Sequence, residues 1–157
     1  MTMRLFTHTI VIDRPREAVF DFFTDFTQAP NWRSYVRSMQ LLSGAPVRAG
    51  SRLRVLMDVA GGEYSFEMDV LTCERPALWR HRTHEGEFNG YIEYRFDPEG
   101  NATRVTMSCV VKPMTIIGWL ALPRMWLGRK QMYRDQLPKL KRTMEEAGAG
   151  SSQHQKA

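Results

Sequence analysis

Hydrophobic and polar residues alternate in several short segments of the first 111 residues, a period of two that is typical of β-strands. Each such segment is expected to bury one face. The predicted strands cover residues 5–13, 39–42, 53–59, 64–70, 78–84, 88–96 and 105–111. Tight turns are predicted at Gly61-Gly62, at 84–87 and at 98–101, where glycine and polar residues cluster. Consecutive strands joined by tight turns predict an antiparallel sheet.

Two short helices are predicted between the first and second strands. Pro15 suits the first position of a helix, and Glu17 in the first turn complements the helix dipole. One apolar face is formed by Val19, Phe22, Phe23 and Phe26. Pro30 is expected to end or bend this helix, and a second short helix is predicted around residues 28–35.

Near the C-terminus the spacing of apolar residues changes to that of a helix. This spacing predicts one long amphipathic helix over residues 113–147. Its apolar stripe consists of Leu122, Trp126, Tyr133, Leu137, Leu140 and Met144, with Met125 and Met132 beside it. Pro138 is expected to kink or break the helix, because its ring clashes with the carbonyl of Arg134 and it donates no hydrogen bond. Residues 148–157 lack an apolar anchor and predict a disordered tail.

Together these elements predict an α+β fold in a single domain over residues 1–147. A long helix that is apolar on one side needs a large concave partner, and the short strands are the available one. We therefore expect a strongly curved antiparallel sheet of about seven strands around a long C-terminal helix, with two short helices after the first strand.

The charge of the chain is distributed unevenly. Residues 1–123 carry equal numbers of acidic and basic residues, so the net charge of +5 arises entirely from the last helix and the tail. Two interpretations are open: a solvated helix face favoured by the helix dipole, or a surface that contacts an anionic membrane. Nucleic acid is not predicted as a partner, because the chain has no RNP-type motif, zinc finger or Lys/Arg-rich run.

The location of the protein is predicted from its N-terminus, its apolar segments and its cysteines. The N-terminus lacks the apolar region of a signal peptide, and the most apolar stretch, residues 114–122, is too short to span a membrane. Cys73 and Cys109 form no CxxC motif and are interpreted as reduced thiols, although a pairing stays open. We therefore expect a cytoplasmic protein.

Three stretches of the chain carry a further signal. Residues 12–32, 70–83 and 94–107 have the sequences IDRPREAVFDFFTDFTQAPNW, VLTCERPALWRHRT and YRFDPEGNATRVTM. Their strand-to-helix opening with Pro-x-Trp, strand–Pro–strand corner and Pro–Gly turn resemble the START-like or Bet v 1-like (SRPBCC) superfamily, in its polyketide cyclase/dehydrase and lipid-transport branch. This resemblance implies a helix-grip fold with an internal cavity between the sheet and the C-terminal helix. It covers nearly the whole domain, and no catalytic residues carry over.

Catalytic and metal-binding signatures are missing from the sequence. The chain has no HExxH, GxSxG, Walker A or GxGxxG motif, and its histidines have no metal-ligand spacing. We therefore predict no cofactor and no metal. His81 is a weak catalytic candidate, because it alternates with Trp79 on an inward face. It would orient a ligand carbonyl or carry a proton, or else act as a hydrogen-bonded core histidine.

The remaining candidates are aromatic residues that would line such a cavity. Tyr64 and Tyr94 lie on strand faces that are otherwise apolar, and Trp32 and Tyr35 would lie at the cavity mouth. Each also fits an ordinary packing role. The full predicted ligand-binding set is Trp32, Tyr35, Tyr64, Phe66, Trp79, His81, Tyr94, Trp119, Trp126 and Tyr133. Arg80, Arg82 and His84 are expected to face solvent.

Three functions follow as hypotheses. The first is binding of a hydrophobic small molecule, such as a lipid, a quinone or a polyketide-like aromatic, in the internal cavity. The second is a cyclase or dehydratase that acts on a ligand in the same cavity. The third is docking on a membrane or a partner through the basic C-terminal helix. The sequence leaves the ligand identity and the oligomeric state open.

Overall fold

Seven antiparallel strands form a single sheet in the computed structural model, which describes residues 2–59, 61–83 and 88–154. The strands are β1 (Met3–Ile12), β2 (Val36–Leu41), β3 (Arg52–Val59), β4 (Gly62–Glu74), β5 (Leu78–Thr83), β6 (Phe88–Glu99) and β7 (Ala102–Pro113). Their order is β1-β7-β6-β5-β4-β3-β2, so β2 to β7 follow one another as neighbours and β1 pairs with β7. The predicted antiparallel sheet is confirmed.

Tight turns and local shifts of register shape this sheet. Gly61 and Gly100 adopt φ values of 78° and 61°, which glycine reaches without a steric penalty, and they turn β3 into β4 and β6 into β7. The predicted turn at 84–87 lies outside the described residues. Register shifts occur between Val36 and Ser38 and between Val70 and Thr72. Such irregularities bend a strand and increase its twist, which supports the curvature of the sheet.

Two short helices, α1 (Arg16–Thr24) and α2 (Ala29–Trp32), follow β1 as predicted, with a short 3-10 turn at Phe26–Gln28 between them. Two details of the prediction were wrong. Pro15 is the cap residue before α1 and not its first helical residue. Pro30 does not end α1, which stops at Thr24, but lies in the first turn of α2, where its missing N–H has no helical partner to lose.

The C-terminal segment forms two helices, α3 (Ile116–Arg134) and α4 (Gln136–His154), where the sequence predicts one. The break at Asp135 is the predicted effect of Pro138. Pro138 lies in the first turn of α4, where a proline is tolerated, and the preceding helix ends at Arg134, whose carbonyl the ring would otherwise meet.

The predicted apolar stripe is buried only in α4, where Leu137, Leu140 and Met144 are at most 7% exposed. In α3 the prediction of a buried stripe is wrong for Trp126, which is 37% exposed. The physical reason is position: α4 packs mainly against β1 and α2, whereas the main contacts of α3 are with β1, β7 and α4. Leu122, Met125, Met132 and Tyr133 are partly buried against the core.

Helix α4 continues to His154, where the composition predicts a disordered tail from residue 148. Arg14 accounts for the start of this extension. Its Nη2 donates a hydrogen bond to the carbonyl of Glu145 over 3.2 Å, and its guanidinium occupies the space where a side chain at Gly148 would begin. The helix therefore remains packed against the loop after β1 beyond the predicted domain end at residue 147.

An aromatic cluster centred on Phe23 of α1 forms part of the core. Phe23 packs against Trp32, Trp79, Tyr94 and Phe96, with ring centroids 4.7 to 5.8 Å apart. All five side chains are at most 1% exposed. Edge-on and tilted aromatic pairs at these distances add to the stabilisation that burial provides. This cluster fills the part of the sheet formed by β5 and β6, and the space beside β2, β3 and β4 stays open.

Candidate ligand-binding cavity

A cavity of about 530 Å³ lies between the concave side of the sheet and the junction of α3 with α4. Most of its wall is apolar, because the inward positions of β2, β3 and β4 carry aliphatic, methionine and phenylalanine side chains. The apolar lining residues are Val36, Met39, Val55, Met57, Val59, Phe66, Met68 and Met132.

The polar lining residues differ at the two ends of the cavity. Glu63 and Tyr64, in the β3–β4 hairpin, are exposed, and Tyr64 has 61% of its surface accessible. They mark the mouth. The opposite end contains Arg33, His81 and Gln136, which are between 3% and 7% exposed. The cavity therefore runs from a solvent-facing mouth to a buried polar end.

His81 lies at the buried end because β5 alternates its side chains: Trp79 and His81 both point inward, and Arg80 points outward. The Trp79 Nε1–H donates a hydrogen bond to His81 Nδ1 over 2.9 Å. Burial, with smaller contributions from the positive charges of Arg33 and Arg129, lowers the pKa of His81 from 6.5 to about 3. At neutral pH the ring is therefore uncharged, and its proton is on Nε2.

Two tyrosines and a glutamine complete the buried end. The Tyr94 hydroxyl donates a hydrogen bond to Gln136 Oε1 over 3.4 Å, which connects β6 to the start of α4. Tyr133 lines the cavity from the last turn of α3. Burial raises the pKa of both tyrosines, so both hydroxyls keep their protons at neutral pH. Of these groups, Tyr133 and Gln136 line the cavity and can form hydrogen bonds with a ligand.

Arg33 is the functional candidate that the sequence analysis missed. It follows α2 directly, and its guanidinium lies 4.2 Å from the ring centre of Trp32 and 4.9 Å from that of Phe23. In the sequence it stands among other polar residues between a tryptophan and a tyrosine, with no period that predicts burial. Tyr35, two residues later, has a φ of 66°, a left-handed conformation that is uncommon for a bulky residue.

The structure brings four of the ten predicted ligand residues to the cavity: Tyr64, Phe66, His81 and Tyr133. Three others, Trp32, Trp79 and Tyr94, belong to the aromatic cluster and pack beside the buried end. The last three, Tyr35, Trp119 and Trp126, are between 37% and 56% exposed and do not line the cavity. Aromatic character alone does not separate these three environments, because aromatic residues suit cores, pockets and helix surfaces alike.

Side chains that point away from the cavity form hydrogen bonds and ion pairs on the outside of the fold. Examples are Trp126, Arg80 and Arg82. The Trp126 Nε1–H donates a hydrogen bond to the Leu5 carbonyl over 2.9 Å, which holds α3 against β1. Arg80 and Arg82 lie on the outer side of the sheet and pair with carboxylates, as their predicted solvent-facing positions allow. His84 lies outside the described residues.

Comparison with known proteins identifies the family. Residues 3–145 match the family model described as polyketide cyclase / dehydrase and lipid transport. The chain belongs to this family. The predicted resemblance is thereby confirmed, and with it a fold that binds hydrophobic ligands. Among curated proteins, no sequence matches the chain.

Solved structures agree with this assignment at the level of the fold. TTHA0849 from Thermus thermophilus has a TM-score of 0.69 and 20% identity, covering 90% of this chain and 97% of its own. The Zhui aromatase/cyclase from Streptomyces sp. R1128 has a TM-score of 0.70 and 13% identity, covering 92% and 94%. Ara h 8.0201 has a TM-score of 0.69 and 8% identity, covering 93% and 99%. At these identities the likeness shows the fold alone, and the predicted helix-grip, Bet v 1-like fold is confirmed.

Two further properties concern the described residues only. None of their helices is long and apolar enough to cross a membrane. No group of three or more of their His, Cys, Asp and Glu side chains is arranged to hold a metal ion. Cys73 and Cys109 are both free thiols, so the open question of their pairing is answered.

Proposed function

We propose that this protein binds a hydrophobic small molecule in the cavity between the sheet and the C-terminal helices. The observation that carries the proposal is the cavity itself, about 530 Å³ of space lined mostly by apolar side chains with polar groups at one buried end. Natural ligand sites measure about 300–1,000 Å³ and combine an apolar wall with a few orienting polar groups. A lipid, a quinone or a polyketide-like aromatic matches this chemistry.

Ligand uptake tests the proposal directly. Native mass spectrometry of the freshly purified protein should reveal a bound hydrophobic molecule, or the protein should take up a fluorescent lipid or quinone probe with saturation. Val55 lies on the cavity wall and Leu56 follows it on the opposite face of β3. Val55→Phe should fill part of the cavity and weaken uptake, whereas Leu56→Phe, the matched control, should leave uptake unchanged.

Two results would contradict binding in this cavity. The first is a protein that is consistently empty and takes up none of the probes. The second is uptake that Val55→Phe and Leu56→Phe reduce equally, because a ligand held elsewhere has no reason to distinguish the two faces of β3.

The chemistry of the buried end supports binding more than turnover. His81 has a pKa of about 3 and its Nδ1 accepts a hydrogen bond from Trp79, so it is a poor proton acceptor at neutral pH. Tyr94 and Tyr133 have raised pKa values and are weak acids. For a cyclase or dehydratase that depends on His81, His81→Ala should abolish turnover while binding persists. Unchanged turnover would remove His81 as the catalytic group.

A second candidate function is peripheral contact with an anionic membrane through α3. Ile116, Leu120 and Leu127 are between 62% and 79% exposed, and their spacing of four and seven residues places them on one face of the helix. The helix carries four basic residues and no acidic one. An apolar stripe with positive charge beside it is the pattern of helices that lie in a membrane interface.

Sedimentation with lipid vesicles tests this second candidate. The protein should bind vesicles of phosphatidylcholine with phosphatidylserine more strongly than phosphatidylcholine alone, and added salt should weaken the binding. Leu120→Ser should reduce it, and Leu56→Ser, on the outer side of the sheet, is the control. Binding that ignores lipid charge and salt would exclude an electrostatic surface role.

A further inference from the structure

Arg33 is buried without a counter-ion. The residue is 7% exposed, and no carboxylate among the described residues lies within 4.0 Å of its guanidinium, although many other arginines of the chain have one. Its Nε and Nη2 are enclosed and have no hydrogen-bond partner. The aromatic faces of Trp32 and Phe23 attract the cation but accept none of its N–H groups in the plane of the guanidinium.

This arrangement is costly, because removing a charge from water is repaid only by an opposite charge and by hydrogen bonds. Burial lowers the pKa of Arg33, and this is partly offset by Tyr94 and Tyr133, of which Tyr94 also accepts a hydrogen bond from the Arg33 side chain. An arginine nevertheless stays protonated at neutral pH, since the pKa of a guanidinium is normally far above neutral. No described residue supplies a counter-ion for Arg33 or a hydrogen-bond acceptor for its Nε and Nη2, and the cavity that Arg33 lines has room for a ligand that does.

The other groups at the buried end are suited to the same partner. Neutral His81 presents Nε2–H, and no described residue accepts a hydrogen bond from it. Tyr133 keeps its hydroxyl proton, and the amide nitrogen of Gln136 has no partner among the described residues. The acidic residue in the cavity wall, Glu63, lies at the exposed mouth. The buried end thus combines the charge of Arg33 with hydrogen-bond donors.

We propose that the ligand is a hydrophobic carboxylic acid whose carboxylate is bound by Arg33 at the buried end of the cavity. This inference rests on the proposed ligand-binding function and specifies the polar group of the ligand. One guanidinium matches one negative charge, and its planar fork can donate two parallel hydrogen bonds to a carboxylate. The apolar body of the acid then extends along Val55, Met57 and Phe66 toward the mouth.

A pair of probes with the same apolar body tests the inference. cis-Parinaric acid and its methyl ester share the same polyene chain, but the ester has an uncharged head group with one additional methyl, and fluorescence titration measures the affinity of both. The wild-type protein should bind the acid at least about tenfold more tightly than the ester, as expected for a charge-assisted pair. In Arg33→Met the preference for the acid should disappear, while the affinity for the ester stays within about twofold.

Two further variants separate the site from general electrostatics. Arg80→Met removes the same charge from the outer side of the sheet and should keep the preference for the acid. Arg33→Lys keeps the charge without the fork and should retain part of the preference. Binding of the ester by Arg33→Met shows that the cavity has formed, so a loss of acid binding alone is not a folding defect.

The outcomes distinguish this inference from the function on which it rests. If the acid and the ester bind the wild-type protein equally, or if Arg33→Met keeps the preference, the carboxylate inference is wrong and ligand binding stands. If neither probe binds the wild-type protein, the inference and the proposed function both fail.

Discussion

Arg33 and Arg80 lie on opposite sides of one sheet, and their surroundings differ. Arg80 lies on the outer side, where its Nε donates to Glu93 Oε2 over 3.0 Å and its guanidinium lies 4.6 Å from the ring centre of Tyr91. Arg33 is more deeply buried, has aromatic neighbours and has no carboxylate partner among the described residues. A protein selected only for stability has no use for the second arrangement, which therefore points to a ligand.

The outer side repeats the Arg80 pattern along several strands. Arginines and carboxylates face each other across neighbouring strands in the pairs Arg52–Asp69, Arg54–Glu67 and Arg82–Asp69, and Arg95 pairs with Glu93 on its own strand. Where both partners are exposed or half-exposed, as in Arg54–Glu67, such a pair is worth a few tenths of a kcal/mol to about 1 kcal/mol. The outer side thus pairs its charges within the chain, and the cavity side leaves one charge for an external partner.

The largest expected effect concerns His81 and pH. The folded protein keeps His81 neutral down to about pH 3, whereas the unfolded chain protonates it below 6.5. Acid therefore favours the unfolded chain, and the free energy of unfolding should fall by up to about 1.4 kcal/mol per pH unit as the pH drops from 6.5 toward 3. Urea denaturation of wild type and His81→Gln at several pH values measures the difference.

His81→Gln keeps an acceptor for Trp79 and should flatten this slope between about pH 6 and pH 4. His8, whose pKa is lowered by partial burial and then by Lys130, provides the comparison. His8→Gln should flatten the slope much less, because its ring is only half-buried. Equal slopes in wild type and His81→Gln would show that His81 is protonated in the folded protein near its ordinary pKa.

The second effect is a gain of stability in Arg33→Met. Methionine fills a similar volume without a charge, so the ligand-free variant should be more stable than the wild-type protein by about 2 kcal/mol. Urea denaturation after extraction of any bound ligand measures it. A loss of stability would mean that contacts of Arg33 with Trp32 and Phe23 outweigh the cost of burying its charge.

The third effect is a loss of stability when Glu93, on the outer side of the sheet, is replaced by Gln. Glu93 is 9% exposed and accepts hydrogen bonds from Arg80 and Arg95. Burial alone would raise the pKa of Glu93, but these two arginines outweigh it and lower the pKa. Glu93→Gln should therefore cost about 2 kcal/mol near neutral pH, and this difference should shrink as acid protonates Glu93 below its ordinary pKa of 4.5.

Glu99→Gln is the control for this change, because it breaks the exposed pair with Arg104 and should leave stability nearly unchanged. Thermal denaturation followed by circular dichroism compares the two variants. Equal losses would show that burial does not strengthen the Glu93 pairs. Probe binding should stay unchanged in both, since neither residue lines the cavity.

The smallest effect concerns Tyr35, which lies in the chain between Arg33 and the cavity residue Val36. Its φ is 66°. Glycine adopts this conformation freely but loses more entropy on folding. Tyr35→Gly should therefore change the free energy of unfolding by only about 0.5 kcal/mol, toward greater stability. A large loss would show that the aromatic ring contributes packing that its 56% exposure does not suggest.

The sheet was predictable from sequence because each strand buries one face, and alternation records that burial directly. The break before α4 was predictable because Pro138 acts locally through its ring. The exposure of α3 was not predictable from sequence. Ile116 and Leu120 are apolar, as residues of a buried helix face are, but no other described part of the fold covers them. The hydrophobic pattern of the sequence shows which side chains are apolar, but it does not show which helix or strand packs against them.

The candidate site was predictable only where it follows the strand period. Tyr64, Phe66 and His81 lie at inward positions of β4 and β5, and alternation placed them there. Arg33 reaches the cavity through the end of a four-residue helix and the left-handed backbone of Tyr35, neither of which has a periodic signature. Its burial also depends on the C-terminal helices, which lie far along the chain, so no local window of sequence contains the cause.

The interruption at Asp135 has a mechanical consequence. It falls between Tyr133 and Gln136, both of which line the cavity, and it separates the poorly covered α3 from the well-anchored α4. An interrupted helix changes direction more easily than a continuous one, because fewer hydrogen bonds resist bending at that point. If α3 turns about this joint, Met132 and Tyr133 move with it and change the shape of the cavity, while Gln136 keeps its place on α4.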